Sequence, residues 1–194
     1  IGDFVGKLVA GLIAKGHTLQ EIHSLVTAKQ RPAMEKIVDE VSSFLRGLGN
    51  IFPLTLNYSH TLAEMILSGH YDWVNPDITA EHFPNVGVGE VNLEAQLIHF
   101  NRVTEFDGVL KELDKKGLRP GTLPELLAFG AKHPDVQRQF PIIALGSVWQ
   151  DRNGYRHVSE LWSIAYGRRL DLYWFDNVWS EDLRFLAFRK PACR

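Results

Sequence analysis

The chain is poor in cysteine: Cys193 is the only one among 194 residues. An intrachain disulfide is therefore impossible, and a structural zinc site built from several thiolates is excluded. The position of Cys193 in the tail sequence KPACR favours an idle thiol over a reactive one. A single cysteine also fits a reducing compartment.

The sequence also lacks a long apolar run and an excess of either charge. No apolar run approaches the roughly 20 residues of a membrane-spanning helix, so no membrane insertion is expected. A formal net charge of −2 gives no excess of positive charge, so no binding of nucleic acid is expected. The first residues have neither a basic n-region nor a cleavage site, so no signal peptide is expected. A cytoplasmic location is the default expectation, and surface display of a trimmed chain stays the alternative because the sequence begins without Met.

Motifs of the common enzyme classes are missing as well. The eight histidines form no H-E-x-x-H pair, and there is no G-x-S-x-G elbow, P-loop or dinucleotide fingerprint. Asp171 and Asp176 are a conceivable acid–base pair, but five residues apart on a strand their carboxyl groups would diverge. We therefore expect a protein that is not an enzyme and that has no metal site and no cofactor.

Residues 1–50 have the periodicity of short amphipathic helices. Thr18 and Glu21 form a capping box, Pro32 suits the first turn of a further helix, and Gly47 ends it. The apolar faces of such helices need a partner. The pattern predicts a helical N-terminal extension that serves either packing or self-association.

From residue 51 onward the sequence predicts an α+β domain of short strands and helices. Capping boxes at Thr61 and Thr122 begin two helices, and Gly117 ends another that starts at Phe106. The dipeptide Asn153-Gly154 predicts a β-hairpin. The predicted strands are Phe52–Leu56, Glu90–Asn101, Ile142–Leu145, Tyr155–Val158, Arg168–Phe175 and Arg184–Arg189.

The end of the chain is rich in aromatic residues, since four of the five tryptophans lie between residues 146 and 190. Within this part, residues 168–175 alternate in character and predict a strand with two different faces. The inward positions are Leu170, Leu172 and Trp174, and the outward ones are Arg169, Asp171, Tyr173 and Phe175. Arg and Tyr are residue types that anchor interfaces, although an ordinary solvated face is the alternative.

Three segments, in this order, carry a resemblance to a known family: Arg119-Pro120-x-Thr122-x-x-Glu125-Leu126-x-Ala128, Ala144–Trp149 and Arg184–Lys190. Together they resemble variable proteins of diversity-generating retroelements, most closely the archaeal and candidate-phyla bacterial members. The resemblance covers residues 52–190 and implies a C-type lectin fold, which that family shares with formylglycine-generating and sulfatase-modifying proteins. It implies a ligand-binding domain at residues 51–194, with a variable region at about residues 155–190.

The resemblance also implies how such a region changes. A reverse transcriptase miscopies adenines of a template repeat, so that asparagine codons become many others but never those of Trp, Glu, Gln, Lys or Met. The expected constant positions are Trp149, Glu160, Trp162, Trp174, Trp179, Glu181 and Lys190. The candidate varied, ligand-binding positions are Ser159, Ser163, Ile164, Ala165, Tyr166, Arg169, Asp171, Tyr173, Asn177, Val178, Ser180, Asp182 and Leu183.

The expected function is thus non-enzymatic binding of a macromolecular ligand, and a protein suits a broad exposed face best. The sequence has no Glu-Pro-Asn or Gln-Pro-Asp tripeptide, which argues against calcium-dependent sugar binding. It also lacks the cysteine pair of the oxidising formylglycine-generating enzymes. Two alternatives stay open: an enzyme relative of that type, and a structural module that oligomerises through the N-terminal helices.

Overall fold

The structure is a computed structural model that describes residues 10, 13–16, 18, 20–21, 50–165, 167–175 and 178–191. The chain divides into two compact units, Ile1–Gly49 and Asn50–Arg194. In the first unit the predicted capping box is present: the Glu21 carboxylate accepts from the backbone and hydroxyl of Thr18, whose Oγ1 accepts from the Glu21 amide. The predicted helix between Pro32 and Gly47 lies outside the described residues.

The described part of the second unit is α+β, as predicted, with a core made mostly of sheet. Its helices are α1 Leu62–Ser68, α2 Phe106–Lys115 and α3 Leu123–Lys132. Its strands are β1 Ile51–Asn57, β2 Trp73–Val74, β3 Glu90–Ile98, β4 Leu118–Pro120, β5 Ile142–Gln150, β6 Arg156–Ile164, β7 Gly167–Trp174 and β8 Arg184–Arg189. No helix among the described residues is long and apolar enough to cross a membrane.

The eight strands form one sheet in the order β1-β3-β8-β5-β6-β7-β2, with β4 also paired to β8. The pairs β5–β8 and β2–β7 are parallel, and the other pairs are antiparallel. The last strand in the chain, β8, lies between β3 and β5 and so joins the two parts of the sheet, whereas the first strand, β1, lies at its edge.

Local signals begin and end the helices where the sequence predicts. In α1, the Glu64 carboxylate accepts from the Thr61 amide at 2.7 Å and from its hydroxyl at 2.8 Å. In α3, Glu125 does the same for Thr122, at 2.8 and 3.0 Å. Gly117, with φ of +68°, follows α2. Each box satisfies amides that the first helical turn leaves unpaired.

The sheet separates two hydrophobic cores. Neighbouring residues of β5 and β8 point into opposite cores, so these two strands are buried on both faces. The first core, with α1 and α3, contains Leu54, Leu56, Leu97, Leu126, Phe129, Ile142, Leu161, Leu170 and Phe188. The second core, with α2, contains Val109, Leu113, Ile143, Leu145, Val158, Phe175, Trp179 and Phe185.

The predicted burial of the side chains at the end of β7 is wrong. Leu170 is buried as expected, but Trp174 is 55% exposed and stacks on Tyr155, with ring centroids 5.6 Å apart. Phe175, predicted to face outward, is 3% exposed and belongs to the second core. Phe175 lies on the face of Tyr173, and its amide donates to the Arg156 carbonyl at 2.9 Å, so the alternation continues past the end of the strand. The second core covers that face, whereas the face of Trp174 is open to solvent.

Two hairpins bring the aromatic part of the chain together. The Asp151 carboxylate accepts from the amides of Asn153 and Tyr155 at 2.8 and 2.9 Å, and Gly154 has φ of +87°. The predicted Asn153-Gly154 turn between β5 and β6 is therefore confirmed. The second hairpin, β6–β7, turns after Ile164, which pairs with Gly167.

Candidate ligand-binding surface

Three of the predicted ligand-binding residues lie on one face of β7. Arg169, Asp171 and Tyr173 are half-buried and alternate with residues that face the first core. Across the hairpin, Arg169 pairs with Trp162, and Asp171 pairs with Glu160. We refer to these five residues, Glu160, Trp162, Arg169, Asp171 and Tyr173, as the polar strip.

Hydrogen bonds and ring contacts hold the strip in place. One carboxylate oxygen of Asp171 accepts from the Asn75 amide at 2.9 Å, and the other accepts from the Trp162 indole at 3.3 Å. The Arg169 guanidinium lies 5.3 Å from the ring centroid of Trp73 and 5.4 Å from that of Trp162. These distances suit cation–π attraction. The strip therefore presents a carboxylate and a guanidinium in defined positions. Side chains that are already fixed lose little conformational entropy when a ligand binds.

Glu160 is the least exposed member of the polar strip, at 8%. Burial raises the pKa of its carboxyl group to about 8, and the nearby charge of Asp171 adds to this effect. Burial, and secondarily the charge of Glu160, raises the pKa of the Tyr173 hydroxyl as well. At neutral pH the strip therefore holds a neutral carboxylic acid directly opposite Asp171.

The segment after β7 extends the surface and is held by a buried tryptophan. Trp179 is fully buried, and its backbone pairs with that of Thr104 through hydrogen bonds of 3.1 and 2.9 Å. Its ring lies 5.2 Å from that of Tyr173. The predicted positions Val178, Ser180 and Asp182 are exposed around it. A tryptophan expected to be constant thus supports neighbours that are free to contact a ligand.

The remaining predicted positions are spread more widely. Ser163 is half-buried on β6, whereas Ile164 and Ala165 are exposed at the β6–β7 turn. Tyr166 and Asn177 lie outside the described residues. The exposed turn residues lie at the end of the hairpin, next in sequence to the strand residues of the polar strip.

Two predicted positions are buried, and this corrects their assignment to a ligand-contacting surface. Ser159 is fully buried because it lies on the face of β6 that carries Leu161 of the first core, opposite Leu172. Leu183 is buried in the second core just before β8 begins. Neither side chain is accessible to a ligand in this structure.

A concave region of about 460 Å³ lies on the face of β6 and β7 opposite the polar strip. It is lined by aromatic residues that form one row across three strands, where Trp149 pairs with His157 and His157 with Trp174. The His82 ring stacks on Trp149 with centroids 4.2 Å apart, and His157 lies 3.4 Å from the Asp151 carboxylate. These rings already contact one another or a neighbouring carboxylate, so most of the polar groups that line the cavity already have a partner within the protein.

Sequence reasoning missed both this aromatic row and the pairing of Glu160 with Asp171. Each joins residues of different strands, so neither produces a pattern in consecutive residues. The signal that would have found them is hairpin register: pairing Ile164 with Gly167 places Glu160 opposite Asp171. The pair considered from the sequence was Asp171 with Asp176, and Asp176 lies outside the described residues.

Within the described residues, no group of three or more His, Cys, Asp or Glu side chains is arranged to hold a metal ion. Cys193 lies outside those residues. No family model, curated protein or solved structure matches the chain. The interpretation of the surface therefore depends on its geometry and chemistry.

Proposed function

We propose that the protein is a non-enzymatic ligand-binding protein with a C-type lectin-like domain. Its contact surface for a protein ligand consists of the polar strip, the β6–β7 turn and the exposed residues around Trp179. We further propose that mutagenic retrohoming at adenines diversifies this surface.

One observation carries the proposal: residues 155–190 separate into supporting and exposed side chains. Leu170, Trp179 and Phe185 are buried, and exposed or half-buried positions such as Asp171 and Val178 lie between them. Substitutions at exposed positions usually change stability little, whereas core substitutions are costly. Such an arrangement allows a binding surface to change while the fold persists.

The composition of the surface supports a protein ligand. The polar strip combines Arg169, Tyr173 and Trp162, and Arg, Tyr and Trp dominate the energetics of protein interfaces. Trp73 and Val178 add exposed apolar area nearby. A broad face with aromatic anchors and a polar margin is the usual form of a protein-binding surface.

The genomic test concerns diversification. The DNA flanking the gene should contain a second copy of the segment that encodes residues 155–190, differing only where the template has adenine, together with a reverse transcriptase gene. Absence of both from the flanking DNA would refute the diversification.

A library of variants tests whether the residues of the surface can change without unfolding the protein. Codons of the NNY type, which asparagine codons can reach, are placed at Arg169, Asp171, Tyr173, Val178, Ser180 and Asp182. A control library places the same codons at Val158, Leu161, Leu170, Phe175, Phe185 and Ala187. Most clones of the first library should resist protease and few of the second should, because the second set is buried. Equal losses in the two libraries would contradict the proposal.

Selection of the first library against a purified test protein, such as hen lysozyme, examines binding itself. Binders should appear, and reverting their changes at positions 169, 171 and 173 should abolish binding without unfolding the protein. Binding that survives this reversion would place the contact surface elsewhere.

A further inference from the structure

Glu160 and Asp171 form a pair of carboxyl groups within the polar strip. The two residues are directly opposite in the antiparallel ladder of β6 and β7, so their side chains project from the same face. Like charges placed directly opposite each other are destabilising in a sheet. Where both groups are ionised, the pair therefore lowers the stability of the free protein.

Only one member of the pair has hydrogen-bond donors. Asp171 accepts from the Asn75 amide and the Trp162 indole. Glu160 accepts no hydrogen bond from the described part of the chain, although it is more than nine-tenths buried. Its carboxyl oxygens are not fully enclosed and still reach solvent. A buried acceptor without a donor is costly, and here it is accessible to a donor that arrives from outside.

The surroundings of the pair suit a cationic, planar donor. On the same face, Trp162 is the next residue of β6, and Tyr173 is the next residue of β7. Aromatic rings at these positions attract cations. Arg169 contacts the rings of Trp73 and Trp162 and forms no ion pair with either carboxyl group in the structure as described. Two carboxyl groups alone are a poor metal site, and the described residues supply no third ligand.

We propose that the carboxyl pair is the docking point for an arginine side chain of the protein ligand, whose guanidinium donates to Glu160 and Asp171 and lies against Trp162. The planar fork of donors in a guanidinium matches two adjacent carboxyl groups better than an ammonium does. The identity of the ligand as a protein rests on the proposed function, but recognition of a guanidinium is a property of the pair itself.

An NMR titration of the full chain with N-acetyl-arginine N-methylamide tests the inference. The citrulline analogue is an uncharged compound of the same shape and serves as the control. The titration is run at pH 8.5, where Glu160 is largely ionised because burial places its pKa at about 8. The indole N–H signal of Trp162 should shift with arginine, and that of Trp149, on the other side of the sheet, should not. Citrulline should bind at least about tenfold more weakly, since it lacks the charge.

Two matched variants assign the effect to the pair. Glu160→Gln removes the charge and keeps the shape, and Glu94→Gln makes the same change at an exposed position of β3. The first should weaken binding of the arginine compound by about tenfold and the second by less than about twofold. Asp171→Asn provides a second loss of charge at the pair and should weaken binding to a similar degree.

Three results would overturn the inference: equal binding of arginine and citrulline, unchanged binding by Glu160→Gln, or a larger shift at Trp149 than at Trp162. Displacement of the arginine compound by calcium chloride, with its own shift at Trp162, would identify a metal site and overturn it too. The genomic and library experiments fail or succeed independently of this titration. Failure of the proposed function is therefore distinguishable from failure of the arginine site.

Discussion

Glu125 and Glu160 are both buried, at 1% and 8% exposure, but their surroundings are opposite. The Glu125 carboxylate accepts from the amide and hydroxyl of Thr122 and from both terminal nitrogens of Arg119. Glu160 has the Asp171 carboxylate as its neighbour and no donor from the described residues. A buried carboxylate with a full set of donors holds the fold together, whereas one that lacks them is costly, and we propose a binding role for it.

The largest effect on stability should come from replacing Glu125, the glutamate that has a full set of donors. Glu125→Ala should lower the free energy of unfolding by about 3–5 kcal/mol, because it leaves Arg119 without its partner and removes the capping box of α3. Urea denaturation at pH 7 measures this change. Glu64→Ala removes the exposed capping box of α1 and, as the control, should lower the free energy of unfolding far less than Glu125→Ala does. Similar losses for the two variants would show that burial of Glu125 adds nothing.

Glu160, which has no hydrogen-bond donor in the part of the chain that the structure describes, should show the opposite effect: removing its charge should stabilise the protein. Unfolded Glu160 ionises near pH 4.5 and folded Glu160 at about 8, so the native protein loses stability as pH rises between these values. The groups facing it are Asp171 and Tyr173 of β7. Glu160→Gln should therefore be more stable than the native protein by about 2–4 kcal/mol at pH 8.5 and equal to it at pH 4.

Urea denaturation across this pH range measures that difference. Glu94→Gln, at an exposed position, should follow the native protein at every pH. A Glu160→Gln variant with the same pH dependence as the native protein would mean that the carboxyl group is already ionised when buried.

The rest of the polar strip should contribute little to folding. Replacing Arg169, Asp171 and Tyr173 together by serine should cost about 1–2 kcal/mol. Loss of the contact between Tyr173 and Trp179 is partly offset when the charge beside Glu160 disappears. The melting temperature of the triple variant, compared with that of Trp179→Ala, measures this. We expect about 3–5 kcal/mol for the buried tryptophan, and a triple variant that loses as much would belong to the core.

The smallest effect should come from Trp174. Because the side chain is 55% exposed and its main ring contact is with Tyr155, Trp174→Ala should cost about 1 kcal/mol or less. Thermal unfolding of Trp174→Ala beside Trp174→Phe, which keeps a stacked ring, measures the contribution of that contact. A cost above about 3 kcal/mol would restore the sequence-based assignment of Trp174 to the core.

Local chemistry made much of the fold predictable. The capping boxes at Thr61 and Thr122, the glycine after α2 and the Asn153-Gly154 turn each act over a few residues, so the sequence alone identifies them. Strand positions follow from alternation where the strand continues. The assignments of Trp174 and Phe175 failed because the sheet has a core on both faces, and which face is covered at the end of β7 depends on distant residues.

The candidate surface could be predicted only in part. Arg169, Asp171 and Tyr173 share a face because of strand periodicity, which one segment of sequence contains. Burial of Ser159 and the opposition of Glu160 to Asp171 depend on pairing between β6 and β7. Pairing of distant residues is a property of the whole sheet, so it has no signature in the neighbouring residues.

The position of β8 has a consequence for how the chain is made. A chain that stops before residue 184 contains β3 and β5 but not the strand that joins them, so two strand edges stay open in the middle of the sheet. During synthesis, the segment at residues 155–183 leaves the ribosome before the sheet can close. We expect premature stop codons in that segment to give chains that are degraded rather than shortened proteins that fold.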